Sequence, residues 1–221
     1  MQHFQLSRRF CLALPFVFLS SFTVNAQQTS VPKPALRLVA LGDSLSAGYN
    51  LPAKAAFPSI LERVLKAKGY NVVVENAGVS GDTASGGRDR LAWSVPDGTD
   101  LVIVELGAND ALRGIDPKIT EEALAEILTS LRSRKINALL AGMLAPPNYG
   151  PEYAKAFNGI YGRLAARFEV PLYPFFLDGV VDKPALKLPD GLHPTEAGVE
   201  EIVRRITPIV EETIKKLAAA R

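Results

Sequence analysis

From Leu36 onward the chain alternates short runs that are apolar almost throughout with longer stretches of helical periodicity, and this alternation constrains the fold more than any other feature. Leu36 to Leu41, Val72 to Val74, Leu101 to Leu106, Ala138 to Met143 and Val170 to Phe175 read as strands. Between them, Ala55 to Lys68 sets Ile60, Leu61, Val64 and Leu65 on one face and stops at Gly69. Pro117 to Arg134 opens on proline and places Leu124, Ile127, Leu128 and Leu131 together. Pro151 to Phe168 and Thr195 to Leu217 complete the long helices, with Pro208 a candidate kink, and a shorter helix toward Trp93 is expected to be capped by Asp82. Strands without polar alternation are buried on both faces, so the sheet is expected to be parallel and covered by helices on each side. Right-handed crossovers then give a three-layer α/β/α sandwich of flavodoxin-like type with a five-stranded parallel sheet. Its binding crevice would lie beyond the carboxyl ends of the strands.

The first 26 residues do not belong to this pattern. Arg8 and Arg9 precede an apolar run from Phe10 to Phe22, followed by Val24-Asn25-Ala26, which is the pattern of a signal peptide cleaved after about Ala26. The run is too short for a membrane-spanning helix, which needs about 20 residues. The expected product is therefore exported to the periplasm or the medium without a stable membrane anchor. Residues 27–35, with two prolines, form an expected flexible connector, and residues 36–221 a single domain. Cleavage would remove the only cysteine, Cys11, which excludes thiol and disulfide chemistry from the mature chain. It would also remove two of the 25 basic residues and leave the remainder balanced against 23 acids. A formally neutral protein is a poor match for nucleic acid or an anionic membrane.

Four polar clusters follow the strands: Gly42-Asp43-Ser44, Gly78 to Asp82, Gly107-Ala108-Asn109-Asp110 and Asp190-Gly191-Leu192-His193. With His3 lost in the signal segment, His193 is the one imidazole left, and imidazole is the side chain best suited to general base work near neutral pH. Asp190 stands three residues earlier across a turn marked by Gly191 and Pro194, where a carboxylate can hold Nδ1 and aim Nε2 at a nucleophile. Ser44, with the small Ala47 and Gly48 nearby, can present its hydroxyl at the start of a helical turn and needs such a base to become nucleophilic. A helix cap or a phosphate-cradling loop would also explain Gly-Asp-Ser after a strand. For an oxyanion, Gly81 can offer an unobstructed backbone N–H and Asn109 a side-chain amide. Each also has a plainer role, as a turn residue and an Asx turn.

The order Gly42-Asp43-Ser44-Leu45, Ser80-Gly81-Asp82, Gly107-Ala108-Asn109-Asp110 and Asp190-Gly191-Leu192-His193-Pro194 resembles the SGNH (GDSL) hydrolase superfamily, in particular its thioesterase I, lysophospholipase L1 and arylesterase branch. Pro146 to Gly150 and Val170 to Phe176 add to the resemblance, which covers nearly the whole mature chain. It implies Ser44 as nucleophile, His193 as base and Asp190 as its orienter. The Ser44 and Gly81 N–H groups and the Asn109 amide would form the oxyanion hole. Relatives often carry glycine where this chain has Ala108 and Ala111, a departure that leaves the catalytic set intact and is expected to stiffen the loop from Ala111 to Asp116. Leu112, Ile115, Pro146 and Tyr149 are the expected acyl-binding residues, although they could equally be core cover.

The expected function is hydrolysis of carboxylic esters and thioesters through an acyl-enzyme, by a monomer acting on a small acyl substrate with no metal or organic cofactor. A carbohydrate acetylesterase is the nearest competing enzyme, and a non-catalytic ligand-binding protein on the same fold is a further alternative. A nucleotide-binding loop lacks support, because neither a Gly-Lys-Ser/Thr ending nor Gly-x-Gly-x-x-Gly stands at the first turn.

Overall fold

Strand β1 (Leu36–Gly42) lies inside a five-stranded sheet and pairs on both sides. Its partners are β2 (Val72–Gly78) and β3 (Leu101–Glu105), and β3 is followed outward by β4 (Asn137–Ala141) and β5 (Leu172–Tyr173). Every pairing is parallel, in the order β2-β1-β3-β4-β5. This is the doubly wound order of a flavodoxin-like sheet, and the chain reverses direction across the sheet between β1 and β3. Because the crossovers keep one hand, the reversal sends helices to opposite faces.

The long helices are α2 (Phe57–Ala67), α6 (Pro117–Ser133), α8 (Ile160–Phe168) and α9 (Glu196–Ala219). Helix α2 packs with α9, whereas α6 packs with α8 and with α3 (Ala84–Asp89). Further helices are α1 (Ser44–Ala47), α4 (Leu91–Ser94), α5 (Ala108–Leu112) and α7 (Gly150–Asn158). The result is a three-layer α/β/α sandwich with β3 buried along its whole length.

This computed structural model describes residues 1, 2 and 34–219. The signal pattern, the Ala26 boundary, Cys11, His3 and residues 27–33 of the connector lie outside the described residues. Among the described residues no helix is long and apolar enough to cross a membrane.

Several element boundaries differ from the sequence expectation, each for a tertiary reason. Strand β2 continues to Gly78, past the expected end at Val74, because its backbone pairs with β1 as far as Gly42 opposite Gly78. Asn76 to Gly78 are thus strand rather than loop. Strand β5 is only two residues long, flanked by Pro171 and Pro174, neither of which has an N–H to give a ladder. The helix expected over Pro151 to Phe168 is two helices meeting at Gly159, and at that junction the Asn158 side-chain oxygen accepts from Ala145 N at 2.8 Å. Thr83, not Asp82, caps α3, its Oγ1 accepting from Gly86 N at 3.2 Å. Asp82 is instead held by Arg90 at 2.6 Å. Helix α9 runs through Pro208 as one helix.

Gly78 is where the sheet meets the helix that carries the first polar cluster. A Cβ there would stand 2.3 Å from Ala47 N and 2.7 Å from Ala47 Cα. Those are backbone atoms with no rotamer to yield, so α1 would have to move away from β2. Gly78→Ala is therefore expected to lower stability by about 1–3 kcal/mol, the usual penalty for overpacking. Urea denaturation would read this as a lower midpoint at unchanged m-value.

Candidate active site

The four polar clusters emerge on one edge of the sheet because parallel strands all deliver their carboxyl ends there. After β1 the chain turns directly into α1, with Asp43 as N-cap accepting from Leu45 N at 2.9 Å. Ser44 is the first residue of that helix and only 9% exposed. The late loop carrying His193 is pinned at its base by an antiparallel bridge between Lys187 and Pro194 and by Leu188 N donating to His193 O at 2.7 Å. This places His193 Nε2 2.8 Å from Ser44 Oγ, although 149 residues separate the two.

The imidazole is held on its other side. His193 Nδ1 stands 2.8 Å from Asp190 Oδ2, while Asp190 Oδ1 accepts from Leu192 N at 2.9 Å and His193 N at 3.0 Å. Those backbone donors, from His193 first and Leu192 next, together with the ring N–H hold the Asp190 carboxyl down at about 2. An ionised carboxylate at Nδ1 keeps the ring proton there and leaves the Nε2 lone pair facing the serine hydroxyl. Tyr49 lies over the same ring, with centroids 4.3 Å apart and planes 30° from parallel.

Asn109 is oriented from beneath the site. Its Nδ2 donates to Asp43 Oδ2 at 3.1 Å, so one carboxylate caps the helix of Ser44 and holds the amide delivered by β3. Asp43 is fully buried, and burial raises its carboxyl to about 6 against the opposing pull of its donors. Glu105, also fully buried, accepts from Ser46 Oγ at 2.8 Å through Oε2. Its Oε1 is buried with no hydrogen-bond partner among the described residues. Burial and the neighbouring Asp43 charge push Glu105 well above the ordinary carboxylate range. Nearby, the buried Arg90 guanidinium joins the ends of β1 and β2 to the turn after β2, donating to Gly42 O and Ala77 O at 2.8 Å each and to Asp82 at 2.6 Å.

A cleft of about 700 Å³ opens beside Ser44, Asn109 and His193. Leu112 and Pro146 line it, as do Met143, Phe175, Leu177 and Val181, so its wall is largely apolar. Ile115 and Tyr149, also expected to bind an acyl chain, do not line it. The Tyr149 hydroxyl donates to Leu112 O at 3.0 Å and its ring packs against Tyr153 at 5.2 Å, which makes it a buttress behind the loop rather than a wall. Ile115 is tied back by its N–H to Asp110 O at 3.0 Å. Gly81 also lies outside the lining, in a turn at φ +86°, and is joined to Asn109 through Arg113.

The profile of the GDSL-like lipase/acylhydrolase family matches residues 40–200. The chain belongs to this family. An arylesterase from Vibrio mimicus is 43% identical over 159 residues, which span 72% of this chain and 80% of that enzyme. The thioesterase 1/protease 1/lysophospholipase L1 of Escherichia coli strain K12 is 42% identical over 182 residues, 82% of this chain and 83% of the relative. Among solved structures, the SGNH-hydrolase family esterase AlinE4 aligns at 45% identity with a TM-score of 0.68, covering 81% of this chain and 96% of that one. The chain is accordingly an ester-hydrolysing enzyme of the GDSL-like family, and its α/β sandwich is shared with relatives of known structure.

Sequence reasoning on this GDSL-like hydrolase did not reach Tyr49, Arg113, Glu105 or Arg90. Tyr49 and Arg113 sit on exposed turns with no periodicity to mark them. Glu105 offered one signal, a carboxylate inside an otherwise apolar strand run. Asp43 was visible as part of a block but without a role.

The buried carboxylates have a consequence for stability. Asp43 and Glu105 bind a proton more tightly in the folded chain than in the unfolded one, so their contribution is greatest below the ordinary carboxylate pKa. It is lost as pH rises, for Asp43 through about 6 and for Glu105 through its own raised value. Unfolding free energy is expected to fall by on the order of 2 kcal/mol between about pH 4 and pH 7. Glu105→Gln should flatten that decline, whatever its constant offset. Urea denaturation across the pH range measures both slopes.

Proposed function

We propose that this chain hydrolyses carboxylic esters and thioesters by acyl transfer through Ser44. The observation that carries the reading is the hydrogen-bonded series Ser44 Oγ, His193 Nε2, His193 Nδ1 and Asp190 Oδ2, with 2.8 Å at each junction. Ser44 Oγ forms a bond to the acyl carbon as its proton passes to Nε2. The tetrahedral intermediate collapses when the C–O or C–S bond breaks and the imidazolium gives its proton to the departing alcohol or thiol. Water then adds to the acyl-enzyme by the same proton route and releases the acid. Asp190 stays ionised throughout and offsets the imidazolium charge.

The negative oxygen of each intermediate needs fixed donors, each worth about 3–4 kcal/mol in the transition state. The Ser44 N–H at the start of α1, the Gly81 N–H and the Asn109 amide fill that role in this reading. The arrangement calls for no metal or organic cofactor. The volume and apolar character of the cleft beside Ser44 favour acyl chains longer than acetyl, which sets this reading above a carbohydrate acetylesterase. Relatives named as an arylesterase and as a thioesterase and lysophospholipase support esters and thioesters as the substrate class. Arg8, Arg9, the apolar run that follows and Ala26 support export before the enzyme acts, and we take the monomer to be the active form.

Ser44→Ala and His193→Ala are each expected to lower kcat on a short p-nitrophenyl ester by about a thousandfold or more with the fold retained by circular dichroism. Near-normal turnover by purified Ser44→Ala would reject the nucleophile. A series of p-nitrophenyl esters of increasing chain length, run beside acyl-CoA and lysophospholipid, tests the substrate class. Faster turnover of acetylated sugar than of every longer acyl ester would favour the acetylesterase.

A further inference from the structure

Gly81 and Asn109 come from different strands, and neither loop is fixed by core packing at that point: Gly81 is exposed and Asn109 only half-buried. If both are to face one oxygen, something must set their separation. The end of α5 supplies a candidate in Arg113, which sits one turn beyond Asn109. Its Nη2 donates to Gly81 O at 2.9 Å and stands 3.4 Å from Asn109 Oδ1. The two hydrogens of one guanidinium nitrogen thus span the loops that follow β2 and β3.

The consequence for Asn109 is geometric. An amide has one acceptor oxygen and two N–H donors. Arg113 is placed at the oxygen and Asp43 takes one N–H, so the plane of the amide is held from both ends and the second N–H is left for a ligand. At Gly81 the bond to the carbonyl fixes the following peptide of a turn whose φ of +86° only glycine adopts readily. Among the described residues Arg113 makes no ion pair, so its charge is not taken up in a surface salt bridge. Burial raises the Asp110 carboxyl and the Arg113 charge opposes that rise, while the Arg113 hydrogen bonds go to two neutral carbonyls on separate loops and so bear on position.

We propose that Arg113 is a positioning residue that holds the Gly81 turn and the Asn109 amide in register as one donor set for the oxyanion. The inference rests on the reading of Gly81 and Asn109 as oxyanion donors. Arg113 does not touch the substrate. It acts by keeping two donors where charge develops, so its removal falls on the transition state and not on ground-state binding.

The test uses the full chain with Arg113→Ala, Asn109→Ala and the double variant, assayed on p-nitrophenyl butyrate, with a phenylboronic acid as a probe that forms a tetrahedral adduct on serine. Arg113→Ala is expected to lower kcat about tenfold with KM within about twofold, and to weaken the boronic acid by a similar factor. Thermal unfolding should be unchanged, since the side chain is exposed. On the Asn109→Ala background the same substitution should cost about threefold or less, because half of what it positions is gone. Unchanged kcat, a rise confined to KM, or a full tenfold loss on the Asn109→Ala background would each overturn the inference. If Asn109→Ala impairs turnover and Arg113→Ala does not, the inference alone fails. If Asn109→Ala is itself fully active, the oxyanion reading fails and takes the inference with it.

Discussion

The Asp43 carboxylate is a small group on which the site is hung. One oxygen caps α1 and so sets the start of the helix that presents Ser44; the other holds the Asn109 amide at 3.1 Å. Both bonds are made inside the protein, where a hydrogen bond to a charged group is short of competing water and an unpaired one would be costly. The loops after β1 and β3 are thereby locked to each other rather than packed separately. Glu105 lies against the same turn from the side of β3, accepting from Ser46 and standing 3.4 Å from Asp43 N. Two carboxyl groups so near each other in a buried place resist being ionised together. The fold accepts that cost where the chain must turn sharply from strand to helix.

A second buried charge does for the β2 loop what Asp43 does for the β3 loop. Arg90 reaches back from between α3 and α4 to the carbonyls of Gly42 and Ala77 and to the Asp82 carboxylate, tying the ends of β1 and β2 to the turn that contains Gly81. Its five donors in a planar fork suit this use better than a lysine would. From these anchors outward the site becomes more exposed. His193 and Asp190 stand on a loop closed by local hydrogen bonds and steadied by Tyr49 across the ring face. Ser44, seated at the start of α1, thus faces an imidazole held at Nδ1 by Asp190 and across its face by Tyr49, while the cleft beside them is walled by side chains from the later loops.

The strand runs made the sheet legible, because a strand buried on both faces has no room for polar alternation. β1 and β3 match the expected runs to within a residue at each end. The ends of β2 and β5 did not show in the same way. Whether Asn76 to Gly78 pair as strand depends on the register with β1, and whether Val170 to Phe175 do depends on two prolines facing a ladder. Helix α3 is likewise capped by Thr83 because Arg90 claims the carboxylate that local sequence offers as its cap. Of the four residues expected to bind an acyl chain, Leu112 and Pro146 line the cleft and Ile115 and Tyr149 do not, since the placement of a side chain on an irregular loop follows from contacts rather than position.

The local order of residues determined the layers of the fold, the strand ends on which polar clusters fall, and the residue types able to move a proton or stabilise an anion. These follow from periodicity and from intrinsic chemistry, both of which are properties of short segments. Only the tertiary structure decided that Ser44 and His193 meet across 149 residues, that Asp43 binds Asn109, and that Arg113 spans Gly81 and Asn109. Each of those depends on strands that adjoin in the sheet but not in the chain, and a hydrogen bond is sensitive to tenths of an ångström that no local pattern encodes.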